Sequence, residues 1–225
     1  MSSAACRDPA PPRPGLADIG PIEQLRAGRL AVRLPLLVVG LLLFGASLAM
    51  MVRGALGVAP WDVLHVGLTH WLPLTLGQTL ILVSFLILLL WVPLRERPGL
   101  GTIANGVLVG VAADLTLGVL DQPDSWTVRV ALTVGGVALN AVATGLYIGS
   151  QFGRGPRDGL MTGLVRRTGG SLRVVRTSIE VTVVALGWLL GGPVGAGTVL
   201  YALAIGPLVQ LVLPWCTVRL PERVS

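Results

Sequence analysis

Sliding the chain 96 residues along itself brings it into register with itself, without a gap. Gly57-Val58-Ala59-Pro60-Trp61-Asp62-Val63-Leu64 then lies on Gly153-Arg154-Gly155-Pro156-Arg157-Asp158-Gly159-Leu160. The same shift pairs Arg33 with Arg129, Gly40 with Gly136, Gly67 with Gly163, Gly101-Thr102 with Gly197-Thr198, and Gly110 with Gly206. The protein is therefore a duplicated unit, running from about residue 32 to 117 and again from about 128 to 213. A fold that suits one copy must suit the other. Internal duplication in a very apolar chain is a mark of many transporter folds.

Composition fixes the solvent. Only 12% of residues are charged, and uncharged runs reach the roughly 20 apolar residues that a bilayer-crossing helix needs. Only helices and closed barrels cross lipid, and these runs lack the alternation of barrel strands. The expected class is thus an all-helical integral membrane protein, with the lipid bilayer as its first partner.

Every basic residue is an arginine. The arginines fall at predicted membrane edges, where orientation signals belong, so no nucleic-acid partner is expected. Cys6 and Cys216 would both face the cytoplasm, which argues against a disulfide. Residues 1–20 are Pro-rich and polar and lack the apolar stretch of a signal peptide. Residues 1–30 read as a disordered cytoplasmic tail, within which Ile22 begins a short amphipathic surface helix reaching Leu34.

Six spans are expected, near Leu34–Val52, Leu74–Leu94, Leu100–Leu120, Val130–Gln151, Thr177–Leu190 and Gly197–Pro214. A Gly/Pro-led short helix follows the first span of each unit. The units are taken as residues 31–122 and 123–218, with 219–225 as a cytoplasmic C-terminus. With the N-terminus inside, fifteen of the seventeen arginines fall on cytoplasmic pieces, leaving Arg53 and Arg129 outside. Three spans per unit is odd, so the second unit would be inverted relative to the first, a plan shared with several secondary transporters.

The words of the repeat also resemble a known family. Pro60-Trp61-Asp62-Val63-Leu64-His65-Val66-Gly67-Leu68 and Pro98-Gly99-Leu100-Gly101-Thr102, with Asn105, Gly110 and Asp114, look like the YczE group of the YczE/YitT-like bacterial membrane proteins. Gly155-Pro156-Arg157-Asp158-Gly159-Leu160-Met161, Arg176 with Glu180, and Gly191-Gly192-Pro193-Val194-Gly195-Ala196-Gly197-Thr198 match the same pattern in the second half. The resemblance implies a multi-span protein of the bacterial inner membrane. It implies no reaction.

Six residues stand out as candidates for binding a substrate or ion: Asp62, Asn105, Asp114, Asp158, Arg176 and Glu180. Asp62 and Asp158 follow the paired Gly/Pro interruptions, the places where transporters build sites. Each could equally cap its short helix. Asp114 is a carboxylate inside the third span, and ionisable groups there face a cavity or a partner. Its repeat mate is the neutral Gln210. Arg176 and Glu180 are one turn apart, spaced for an ion pair. The guanidinium also suits a carboxylate or phosphate.

The Gly106-x-x-x-Gly110 and Ala202-x-x-x-Gly206 faces should pack closely, bringing the third and sixth spans together with Asn105 and Tyr201 at matched positions. His65 and His70 are expected at the outer interface beside Trp61 and Trp71. No metal site, cofactor or enzyme motif is expected. The leading expectation is a permease for a small molecule. The rival is a non-transporting accessory or scaffold, acting as a homo-oligomer or with a membrane partner.

Overall fold

The computed structural model of the chain describes residues 21–220, and those residues contain nine helices and no strand. They are α1 (Pro21–Arg26), α2 (Leu30–Gly54), α3 (Pro60–Thr69), α4 (Leu76–Leu94), α5 (Leu100–Val119), α6 (Trp126–Gly149), α7 (Pro156–Thr168), α8 (Leu172–Leu189) and α9 (Ala196–Cys216). The repeat is visible in these bounds. α2, α3, α4 and α5 begin 96 residues before α6, α7, α8 and α9 respectively.

Local chemistry sets the starts. α3 and α7 each open on a proline, whose fixed φ and missing N–H suit a first helical turn. α4 opens on a capping box between Thr75 and Gln78, and Ser171 caps α8 by accepting from the Val174 N–H.

α2 and α6 form the central pair. α5 packs on α2, and α9 packs on α6. The short helices cross over: α3 lies against α8, and α7 against α4. Lipid supplies no hydrophobic drive between helices, so close packing depends on small residues. At Gly40 an added Cβ would stand 2.7 Å from the Tyr147 nitrogen, and at Gly136 2.8 Å from Met51 Cγ. These two contacts are repeat mates of one another.

The strongest ties between halves are also reciprocal. Arg33 donates from Nε to the Ser150 carbonyl at 2.9 Å and from Nη2 to the Gln151 carbonyl at 2.8 Å. Arg129 donates from Nε to the Gly54 carbonyl and from Nη2 to the Ala55 carbonyl, both at 3.1 Å. The mated arginines thus use the same nitrogens on mated carbonyls. A helix end leaves its last carbonyls without intrahelical partners, and in lipid that is expensive. Each guanidinium near the start of one central helix satisfies the end of the other. α2 and α6 therefore run antiparallel.

The loops repeat the exchange. Gly101 N–H donates to the Phe152 carbonyl and Gly197 N–H to the Leu56 carbonyl, each at 2.8 Å. Gly57 and Gly153 beside them share a φ of 106°, a region that only glycine enters without strain.

Several expectations need correction. The surface helix is shorter than expected, because Gly28 and Arg29 take positive φ and end it; Leu30 to Leu34 belong to α2. Arg33 is no edge charge: it is fully buried and also binds the Gln24 and Gly28 carbonyls. α5 and α9 do not form the central contact; α2 and α6 do. His65 and Trp61 are buried, not at an interface. Five helices, α2, α4, α5, α6 and α9, are long and apolar enough to cross a membrane. α8 falls short of that criterion because it carries Arg173, Arg176 and Glu180. Cys6 and most of the N-terminal tail lie outside the described residues.

Candidate functional site

A cavity of about 300 Å³ lies between the two halves. Asn105, Asp158, Arg176 and Glu180 all line it. They come from α5 of the first half and from α7 and α8 of the second. Trp61, Arg157, Tyr147, Tyr201 and Gln210 complete much of the polar wall.

Asp62 sits behind this wall. It is buried, lies 3.1 Å from His65 Nδ1 and 3.6 Å from Arg157 Nη2, and so joins α3 of the first half to α7 of the second. Arg157 also stacks over the Trp61 ring, with 5.2 Å from Cζ to the centroid. Asp62 Oδ2, His65 Nε2 and Trp61 Nε1 are buried without a hydrogen-bond partner among the described residues.

Asp158, the repeat mate of Asp62, instead accepts from the Tyr147 hydroxyl at 2.7 Å. The hydrogen bonds of both carboxylates go to other side chains. Asp62 faces His65 one turn along its own helix and Arg157 of α7, and Asp158 faces Tyr147 of α6.

Arg176 and Glu180 form the ion pair their spacing predicts, Nε to Oε1 at 2.8 Å. Only Nε of the guanidinium is used for that bond. Tyr201 donates to Asn140 Oδ1 at 3.0 Å, and Asn140 donates to Ser47 Oγ at 2.7 Å, giving a polar chain from α9 through α6 to α2.

Asp114 does not line the cavity. It accepts from the Thr75 hydroxyl at 2.5 Å and from the Gly77 N–H at 2.7 Å. It is a clamp holding the start of α4 against α5. A Cβ on Gly110 would stand 2.5 Å from the Gly77 carbonyl, which shows how closely the two helices approach.

The mated pair, α8 and α9, has no such clamp. Thr75, Gly77 and Asp114 are replaced by Ser171, Arg173 and Gln210. Gly206, the mate of Gly110, has nothing within 4 Å of where its Cβ would lie. Among the described residues α8 and α9 are not packed together. The small-residue face of α9 therefore borders open space rather than another helix.

The repeat explains why the sequence hid part of this wall. Leu80, Ser84 and Trp61 line the cavity from the first half, and their mates Arg176, Glu180 and Arg157 line it from the second. Arg157 and Tyr147 were not among the expected site residues. The signal for Arg157 was its replacement of an aromatic mate. Tyr147, mated to Met51, offered a weaker one of the same kind.

Comparison with known proteins places the chain. Residues 31–214 match a family described as of unknown function, DUF6198. The chain belongs to this family. It is 38% identical over 180 residues to an uncharacterized protein of Haemophilus influenzae, covering 78% of this chain and 83% of that one. It is 33% identical over 177 residues to the uncharacterized membrane protein YczE of Bacillus subtilis, covering 78% and 82%. A second Bacillus subtilis protein, the uncharacterized YyaS, is 26% identical over 180 residues, covering 78% and 90%. No solved structure matches. The chain is thus a YczE-like multi-span membrane protein, and the family match covers both repeats.

Proposed function

We propose that the protein is a permease for a small molecule, moving its substrate through the cavity between the two halves. The observation that carries this reading is the cavity itself, lined by both repeats, with four of the six candidate residues on its wall. Scaffolds have no need of a shared polar chamber. Transporters place one at the interface of their repeats. The proposed activity is transport and not catalysis.

The topology proposed with it has six spans in two inverted sets of three. α8 is the remaining span, fifth in chain order, because its mate α4 is long and apolar enough to cross and its Arg176 and Glu180 turn toward the cavity. Its 18 residues extend roughly 27 Å at 1.5 Å per residue, close to a bilayer core. The antiparallel pairing of α2 with α6 and their reciprocal arginine caps support inversion, since a two-fold axis in the membrane plane produces both. The proposed topology has both termini in the cytoplasm of a bacterial inner membrane, a reading supported by the arginine bias. Transport would proceed as one half rocks against the other, the α4–α5 and α8–α9 pairs alternately closing over the cavity.

A thermal-shift screen of the full chain in lipid nanodiscs tests the reading. Metabolites, lipids and drugs would be run against wild type and Arg157→Gln. A permease predicts a ligand that raises the melting temperature of wild type and not of the folded variant. A stoichiometric membrane partner, with no ligand found, would favour the scaffold.

A further inference from the structure

The opening between α8 and α9 is more than a missing contact. It is a groove of about 680 Å³ with an almost wholly apolar wall. Val181, Val184 and Trp188 form one side, and Val199, Ala202 and Leu203 the other. Pro60 and Glu180 border both this groove and the polar cavity. An apolar slot therefore runs into a polar chamber at the Arg176–Glu180 pair.

The chamber carries unused hydrogen-bond donors. Each lining carboxylate is engaged through one oxygen, Asp158 Oδ2 by Tyr147 and Glu180 Oε1 by Arg176. The guanidiniums are engaged on one side only. Arg176 uses Nε, and the nearest carboxylate oxygen to Arg157 is 3.6 Å away. Among the described residues their remaining nitrogens have no hydrogen-bond partner, and both residues line the cavity. Guanidinium edges of this kind fit the planar oxygens of a carboxylate or phosphate.

Resting on the permease reading, we propose that the substrate is a single-chain amphiphilic anion. Its carboxylate or phosphate head sits against Arg176 and Arg157, and its apolar chain lies in the α8–α9 groove. It enters sideways from the lipid. The opening is encoded in the sequence, because the clamp that seals the mated pair, Asp114 on Thr75 and Gly77, has no counterpart at Gln210, Ser171 and Arg173.

The test uses the full chain in nanodiscs of phosphatidylcholine, with a nitroxide-labelled stearate as probe. Trp188 lines the groove, so saturable quenching that disappears in Trp188→Phe reports occupancy. Oleate should displace the probe. Arg176→Gln and Ala202→Phe, each with unchanged melting temperature, should weaken binding about tenfold or more, while Arg176→Lys retains part of it. Oleate competing better than oleoyl lysophosphatidate marks a fatty-acid head; the reverse order marks a phospholipid-type phosphate.

Equal competition by acetate or inorganic phosphate would overturn the proposal, since the chain would then be irrelevant. Equal competition by oleyl alcohol would overturn it from the other end. An Ala202→Phe variant that binds normally but falls from dimer to monomer would assign the groove to a second copy instead. Flux separates this proposal from the reading it rests on. Saturable binding without counterflow in proteoliposomes keeps the site and removes the permease. Counterflow of a chainless anion keeps the permease and removes the amphiphile.

Discussion

The two halves put the same positions around one cavity and fill them with different chemistry. In the first half these positions are Leu80, Ser84 and Trp61; in the second they are Arg176, Glu180 and Arg157. The same division appears in the outer helices. α4 and α5 are clamped by Asp114, whereas α8 and α9 stand apart around Gln210 and Gly206. One half is a sealed, mostly apolar wall. The other carries the charge and the opening. Duplication supplied a shared frame, held by Arg33 and Arg129, on which the two copies carry different side chains at mated positions.

The most damaging way to break the comparison is to remove a shared tie. Arg33→Met would remove the Arg33 hydrogen bonds to the Ser150, Gln151, Gln24 and Gly28 carbonyls at a fully buried position. The expected loss is about 3–5 kcal/mol of stability, read as a large fall in melting temperature. Arg129→Met removes two bonds from a partly exposed site and should cost about 1–3 kcal/mol. Equal losses would show that the two caps are energetically equivalent despite their different burial.

Gly57→Ala and Gly153→Ala sharpen the contrast between the loops. Both sit at the same positive φ, which strains any alanine placed there, but the environments differ. A Cβ at Gly57 would meet the Gly195 nitrogen at 2.6 Å, whereas the nearest atom at Gly153 is Thr102 Oγ1 at 3.3 Å. Gly57→Ala should therefore cost roughly 1–3 kcal/mol more, measured by thermal denaturation in nanodiscs.

Asp114→Asn weakens the α4–α5 clamp and should cost about 1–2 kcal/mol while leaving the fold intact. The converse is a graft: Gln210→Asp with Arg173→Gly and Ser171→Thr writes the clamp into the second half. The graft should draw α8 toward α9, detected as faster disulfide cross-linking between introduced cysteines. Unchanged cross-linking would mean that the clamp does not decide which pair is closed.

The smallest effect on stability belongs to Arg176→Gln. Its ion pair is half-exposed and one helical turn long, so its loss should cost about 0.5 kcal/mol or less. Its effect on ligand binding should be far larger, which separates a binding residue from a structural one.

Much of the frame was legible because duplication preserves helix starts. Pro60 and Pro156, and Gly57 and Gly153, mark equivalent turns with chemistry that few other residues supply. The Arg176–Glu180 pair follows from one-turn spacing. Arg33 was misread because a charge at the start of an apolar run looks like a membrane-edge signal; only its partners, more than a hundred residues away, reveal a buried cap.

Asp114 and Asn105 share one helix, yet one is a clamp and the other lines the cavity. Their difference lies in which way each faces, and a run apolar nearly all round gives no face to read. Asp62 and Asp158 occupy the right position for capping, but His65, Arg157 and Tyr147 draw their carboxylates elsewhere. His65 lies one turn from Asp62 and is locally readable, but Arg157 and Tyr147 come from other helices and leave no local pattern.

The asymmetry between the outer helix pairs is the centre of this account, and spin-label distances measure it directly. Labels at Leu86 and Ile103 report on α4–α5, and labels at their mates Thr182 and Val199 report on α8–α9, in a background of Cys6→Ser and Cys216→Ser. In nanodiscs the first pair should give one short, narrow distance and the second a longer one. Equal distances for the two pairs would contradict the account, because the cavity would then be sealed alike on both sides.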